Sequence, residues 1–162
     1  MTTINIYGEN RHEHHTKLRV ACRGIILRDD MVLMTHAREV DFWMLPGGGL
    51  EGNEDLSQCC IRELAEETGF IVKPLYSFAT INEFYEEWLY RSHYFVCAVV
   101  GETQRHLTAA EAENDLVTRW IPMRDAVAIF SAHEDHRDEE MKRGAYLREY
   151  RALEAFLNED NE

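Results

Sequence analysis

Three glycines pass directly into a helix-forming stretch dense in carboxylates: Gly47 to Phe70 reads GGGLEGNEDLSQCCIRELAEETGF. Glu63, Glu66 and Glu67 stand at i, i+3 and i+4, so a helix turns all three to one face. Like charges at that spacing repel by roughly 0.2–0.5 kcal/mol per pair on an exposed helix. A divalent cation converts the repulsion into coordination. The helix has clear punctuation. Asn53 is the expected N-cap, with Glu54 and Asp55 in the first turn, and Gly69 stands where a C′ glycine belongs. Leu56, Cys60 and Leu64, with Ile61 and Ala65 beside them, form the apolar stripe. The carboxylates adjoin that stripe, which predicts a cleft at the edge of the core.

The rest of the chain reads as strands with interspersed helices. Val20–Leu27 is an apolar strand, Asp29-Asp30 a turn and Met31–His36 its hairpin partner. Phe42–Leu45 is a short apolar run stopped by Pro46. Ile71–Phe84 and Leu89–Val100 are strand-like around an acidic turn at Glu86-Glu87. Residues 101–117 read as a loop, Thr118–Pro122 as a short strand and Met123–Phe130 as a short helix. Residues 138–158 carry a helical row of Tyr146, Tyr150, Leu153 and Leu157. Residues 1–16 read as a polar lead-in whose His12, His14 and His15 are solvated. This order predicts one α/β domain over residues 1–162, a mixed β-sheet sandwiched between helices.

A chain of 162 residues is long enough for one real core. Its 17 basic residues against 30 acidic ones give a net charge of -13, which disfavours duplex nucleic acid as a partner. It leaves room for a phosphorylated small molecule, because a bound metal reverses the local sign. Cys22, Cys59, Cys60 and Cys97 form no CxxC pair and no zinc spacing. They read as reduced thiols of a cytoplasmic protein. The N-terminal residues lack an apolar signal-peptide core and no window is long enough to span a membrane.

Gly48, five residues, Glu54, seven residues, then Arg62-Glu63-Leu64-Ala65-Glu66-Glu67-Thr68-Gly69-Phe70 resembles the Nudix box. Only Phe70 departs, where the family usually has an aliphatic residue. Trp43-Met44-Leu45-Pro46-Gly47-Gly48 and Trp120-Ile121-Pro122 also look like the family, so the resemblance extends over most of the chain. The resemblance implies a Nudix-like α/β/α sandwich and a hydrolase acting on phosphoric anhydride bonds. It implies Mg²⁺ or Mn²⁺ held by Glu63, Glu66 and Glu67, with the Gly48 carbonyl as a further ligand. One carboxylate in or near that set is the general base. A later loop supplies another acid, with Glu113 expected from among Glu111, Glu113 and Asp115. Arg62 is expected to orient carboxylates, Glu54 in particular, and Glu54, Arg62 and Gly69 are structural parts of the motif. A homodimer is expected at the level of the family.

Substrate contacts are expected outside the box. Arg38, in the loop before Trp43, is a candidate to meet phosphate, and Arg23, within an apolar strand, is a candidate to face the cleft, with the wet side of the sheet as its alternative. Phe42, Trp43, Phe84 and Tyr85 are candidates to stack a base. No proline occurs between Leu75 and Val100, which weakens an ADP-ribose pyrophosphatase reading. The expected activity is water attack on a diphosphate bond of a nucleoside diphosphate linked to another moiety. The alternatives are a housecleaning (d)NTP pyrophosphatase and, from another class, a nucleotide-sensing module without turnover.

Overall fold

The computed structural model describes residues 1–159. The last three positions of the expected domain, 160–162, lie outside the described residues. Apolar alternation builds the sheet. In β2 (Lys17–Arg28), Cys22 and Ile26 point to one face while Arg23 and Ile25 point to the other. In β3 (Met31–Ala37), Leu33 joins the first face, and Val32 and Met34 the second. Asp29 turns the chain between them at a φ of 55°, which Asp tolerates in a tight turn.

β2 and β3 pair only at Leu27↔Val32 and Arg28↔Met31. Beyond that point they part. β3 takes β4 (Phe42–Met44) as an antiparallel neighbour, and β2 takes β5 (Gly47–Gly49). The β4–β5 segment therefore bridges the split. The long strands β6 (Phe70–Tyr85) and β7 (Trp88–Glu102) form a hairpin, with β7 parallel to β2. β8 (Leu116–Pro122) covers the far side of β3.

Helices cover both faces. α1 (Leu56–Thr68) packs Cys59, Cys60 and Leu64 on Cys22, Ile26, Leu33, Phe95 and Cys97. The opposite face carries α3 (Met123–Ser131) and α4 (Glu140–Glu159), linked by a 3-10 turn at Ala132–His136. There Phe130, Tyr146, Leu153 and Phe156 meet Ile25, Met34, Phe78 and Ile81. This is the expected mixed sheet between helices.

Three local expectations change. Residues 1–16 are not all lead-in, because β1 (Thr2–Tyr7) runs parallel to β6 and buries Ile4 and Ile6. Those two isoleucines alternate with polar residues, which is a half-buried strand pattern too short to stand out. The helix cap is Asp55, not Asn53. Asp55 accepts from the Gln58 N–H at 2.8 Å, and the Gln58 side chain accepts from the Asp55 N–H at 2.8 Å, a reciprocal capping box. The loop over residues 101–117 contains a short helix, α2 (Ala109–Glu113), capped in the same way by Thr108 and Glu111.

Candidate active site

β5 and α1 meet face to face, and the glycines explain how closely. Gly47 has a φ of 154°, and a Cβ there would stand 2.2 Å from the Cys22 carbonyl oxygen. A Cβ on Gly48 would stand 2.5 Å from the Glu63 carboxylate. The Gly47 N–H donates to Glu67 Oε2 at 3.0 Å. Cys59 Sγ donates to the Gly48 carbonyl at 3.6 Å.

Arg62 is the hub of the acidic face. Its Nε and Nη2 grip Glu54 at 3.0 and 2.7 Å, and Nη2 also reaches the Gly49 carbonyl at 2.9 Å. Nη1 donates to Glu63 at 3.0 Å and Glu66 at 3.3 Å. The expected orienting role of Arg62 toward Glu54 has this geometry behind it. The guanidinium holds the Glu54 carboxyl down at about 2, against the upward push of burial. Glu63 goes the other way, since burial raises it more than Arg62 lowers it. Glu67 is 8% exposed. Burial raises it well above the carboxylate range, the Gly47 N–H opposes this, and the nearby Glu111 carboxylate adds to it.

Glu111, not Glu113, is the acid that the α2 segment brings into hydrogen-bonding reach of Glu67. Residues two apart on a helical turn face different directions. Glu111 turns inward, while Glu113 is exposed. Asp115 is taken up elsewhere, as the partner of Arg38 at 2.6 and 2.7 Å. Arg38 is therefore tied to the start of β8 by an ion pair.

Among the described residues no three acids stand close enough to cage an ion as they are. Arg62 bridges Glu63 and Glu66 instead. The donor set still suits a hard cation. Two carboxylates, Glu67 and Glu111, lie side by side, and Glu63 and the Gly48 carbonyl lie at the same glycine strand. Mg²⁺ takes few protein oxygens and completes its shell with water and phosphate, so a partial set fits it.

On the α4 side of β5 lies a cleft of about 390 Å³, within the range of about 300–1,000 Å³ usual for small-molecule sites. Arg23 and Tyr85, two of the candidate substrate contacts, line it. Arg23 pairs with Gly47 across β2–β5, so it stands between the cleft and the carboxylates. Its Nη1 donates to the Leu45 carbonyl at 3.3 Å, while its buried Nε has no partner among the described residues. Trp43 is not in the cleft. It stacks on His36 at 3.9 Å, and its strand neighbours Phe42 and Met44 line the cleft instead, because alternate residues of β4 face opposite ways. Phe84 likewise stacks on Tyr7 at 5.2 Å. A larger hollow of about 650 Å³ lies among Tyr7, Arg11, the lead-in histidines and Phe84. It contains none of the clustered α1 carboxylates.

Sequence reasoning missed the buried polar group beneath the cleft. Leu45 N–H donates to Glu149 at 2.7 Å, the Tyr94 hydroxyl also donates to Glu149, and Arg148 bridges Glu149, Tyr94 and Glu83. One signal was available. Glu149 sits three residues after Tyr146 and four before Leu153, which places a carboxylate on the buried face of α4.

The NUDIX domain family matches residues 17–142. The chain is 35% identical over 68 residues to an 8-oxo-dGTP diphosphatase of Buchnera aphidicola subsp. Schizaphis graminum, covering 40% of this chain and 52% of that one. It is 27% identical over 110 residues to the mouse diphosphoinositol polyphosphate phosphohydrolase 3-alpha, covering 65% of this chain and 62% of that one. The matched region thus spans about half to three-fifths of these relatives. Among solved structures, a NUDIX hydrolase from Nitrosomonas europaea superposes with a TM-score of 0.56 at 21% identity, over 84% of this chain and 90% of that one. A UDP-X diphosphatase superposes with a TM-score of 0.54 at 20% identity, over 67% of this chain and 54% of that one. These superpositions share the α/β/α arrangement. The chain belongs to the NUDIX domain family.

Proposed function

We propose that the protein is a metal-dependent pyrophosphohydrolase that cleaves a diphosphate bond of a nucleoside diphosphate linked to another moiety. The carrying observation is the convergence of Glu63 and Glu67 on the Gly47–Gly48 backbone, with Glu111 beside Glu67 and Arg23 leading from them into a partly aromatic cleft. Glu63, Glu66, Glu67, Glu111 and the Gly48 carbonyl would hold Mg²⁺ or Mn²⁺. The ion would polarise a phosphoryl oxygen and lower the pKa of a bound water. Arg23 receives a phosphate oxygen on its free Nε, which sets the anhydride in line. Glu111 takes the proton of the attacking water in the place expected for Glu113. As the water oxygen bonds to phosphorus, the bridging P–O bond breaks and its electron pair leaves with the second phosphate. Arg62 keeps the carboxylates apart and oriented, through Glu54 and the Gly49 carbonyl.

Glu67→Gln is expected to abolish Mg²⁺-dependent release of phosphomonoester products while the thermal melt stays cooperative, and retained turnover overturns the mechanism. Glu111→Gln is expected to slow turnover by about 10²–10⁴-fold. The likeness to the 8-oxo-dGTP diphosphatase favours a second reading, a (d)NTP pyrophosphatase of housecleaning type. Release of pyrophosphate plus a monophosphate marks that route. Nucleotide binding without turnover under both metals marks a sensing module instead. The four cysteines are free thiols, which supports a reducing compartment, the cytoplasm. No helix of the described residues is long and apolar enough to cross a membrane.

A further inference from the structure

The floor of the cleft holds a carboxylate that the hydrolytic reading does not use and that one long ion pair ties to the interior. Glu83 is 3% exposed and lines the cleft. It follows the buried Ile81 by two residues on β6, so it occupies a core-facing position. Its Oε2 meets Arg148 Nη1 at a long 3.4 Å, and its Oε1 takes no protein hydrogen bond among the described residues. Arg148 is already shared, because its Nε donates to Glu149 and to the Tyr94 hydroxyl, both at 3.0 Å. With most of the carboxylate buried and Oε1 left to the cleft, a ligand that brings a donor to that oxygen is favoured.

The walls around Glu83 combine an apolar side with the charged Arg19, Arg23 and Glu140. Phe42 and Met44 come from β4, and Tyr85 and Tyr90 from the β6–β7 hairpin. The hydroxyl of Tyr85 has no hydrogen-bond partner among the described residues, and a side chain at Gly144 would come within 3.1 Å of it. The glycine keeps that end of the slot open. An aromatic slot with an under-paired carboxylate at its base fits a planar heterocycle that offers donors. Guanine alone among the common bases presents two adjacent donors, N1–H and the 2-amino group, which match the two oxygens of a carboxylate. Adenine and cytosine present one amino group beside an acceptor. Uracil and thymine present one N–H between two carbonyls, which a carboxylate repels.

We propose that this cleft seats the nucleobase and that Glu83 selects guanine through N1–H and the 2-amino group. This rests on the nucleotide reading of the site and narrows its substrate class to guanine nucleotides. Arg148 is the positioning residue that holds the Glu83 carboxylate toward the slot.

Calorimetric titration with nucleoside monophosphates, without metal, tests it apart from turnover. GMP is expected to bind at least about tenfold tighter than AMP, CMP or UMP. IMP, which keeps N1–H and lacks the 2-amino group, is expected to fall about tenfold below GMP on the unaltered protein. Glu83→Gln is expected to bring GMP down to the level of AMP. Equal affinities across the bases, IMP equal to GMP, or no binding at all overturns the proposal, and the IMP comparison stands even where Glu83→Gln fails to fold. Lack of turnover on every diphosphate leaves the base ranking intact, and a flat base ranking leaves turnover intact, so the two readings fail separately.

Discussion

At the residue scale, Arg62 does more than balance charge. One guanidinium satisfies Glu54, Glu63, Glu66 and the Gly49 carbonyl. It separates like charges that would otherwise repel on one helix face. Glu54, held down at about 2 chiefly by that guanidinium, is ionised in the folded chain well below the ordinary glutamate value of about 4.3. A depressed folded-state pKa contributes stability above the unfolded value and loses it as pH falls through the folded one. Glu54→Gln is therefore expected to cost about 1–3 kcal/mol near neutral pH, the scale of a hydrogen bond to a charged group. Its deficit against the unaltered protein should shrink as pH falls from about 4.3 toward 2. Denaturant midpoints across that range measure it, and a deficit independent of pH contradicts the assignment.

At the element scale, the three-residue strand β5 separates two roles that adjacent glycines share. Gly47 meets backbone, since a Cβ would stand 2.2 Å from a carbonyl oxygen and 2.7 Å from the Arg23 Cα. Gly48 meets the end of a flexible side chain, the Glu63 carboxylate. Gly47→Ala is expected to destabilise the fold by about 1–3 kcal/mol or more, as overpacking against a fixed wall does. Gly48→Ala is expected to leave the melt nearly unchanged and to weaken Mg²⁺ binding by about tenfold or more, because Glu63 must swing aside. Thermal melts beside metal titrations of the two variants distinguish these outcomes. The same contrast marks how α1 works. Cys59, Cys60 and Leu64 anchor it to the sheet, and the neighbouring turn presents the carboxylates to β5.

At the scale of the whole molecule, the sheet splits where β2 and β3 part, and Glu149 ties the split together. It accepts from the Leu45 N–H of the β4–β5 bridge and from Tyr94 of β7, and it pairs with Arg148 beside it. Its side chain is fully buried. Removing one partner of a buried pair leaves the other charge uncompensated, so Glu149→Ala is expected to cost about 3–5 kcal/mol. Urea unfolding followed by both far-UV dichroism and tryptophan fluorescence checks this. A loss below about 1 kcal/mol would show that water replaces the carboxylate without penalty. Because this network lies under the cleft, the same variant is also expected to weaken nucleotide binding.

The α/β architecture, the two long hairpin strands and the capped acidic helix were legible in the chain, because each rests on local periodicity or on residues close in sequence. The helix turns Glu63, Glu66 and Glu67 together whatever the rest of the fold does, and Arg62 reaches Glu54 across only two turns. The start of α1 was misplaced by two residues, since Asp55 and Asn53 are both good caps and only the reciprocal bond to Gln58 chooses between them. The acid that joins the set from α2 depended on which side of a five-residue helix faces Glu67, and that is decided by packing, not by composition. Whether Trp43 or Phe42 lines the cleft turned on the register of a three-residue strand. Glu83, Arg148 and Glu149 come together from one strand and one helix, 66 residues apart from Glu83 to Glu149. The sequence by itself determined the helix that carries the carboxylates, because that chemistry is short-range. Only the tertiary structure decided what lies across from it, because the cleft is made by the parting of β2 from β3 and by the helix that closes underneath.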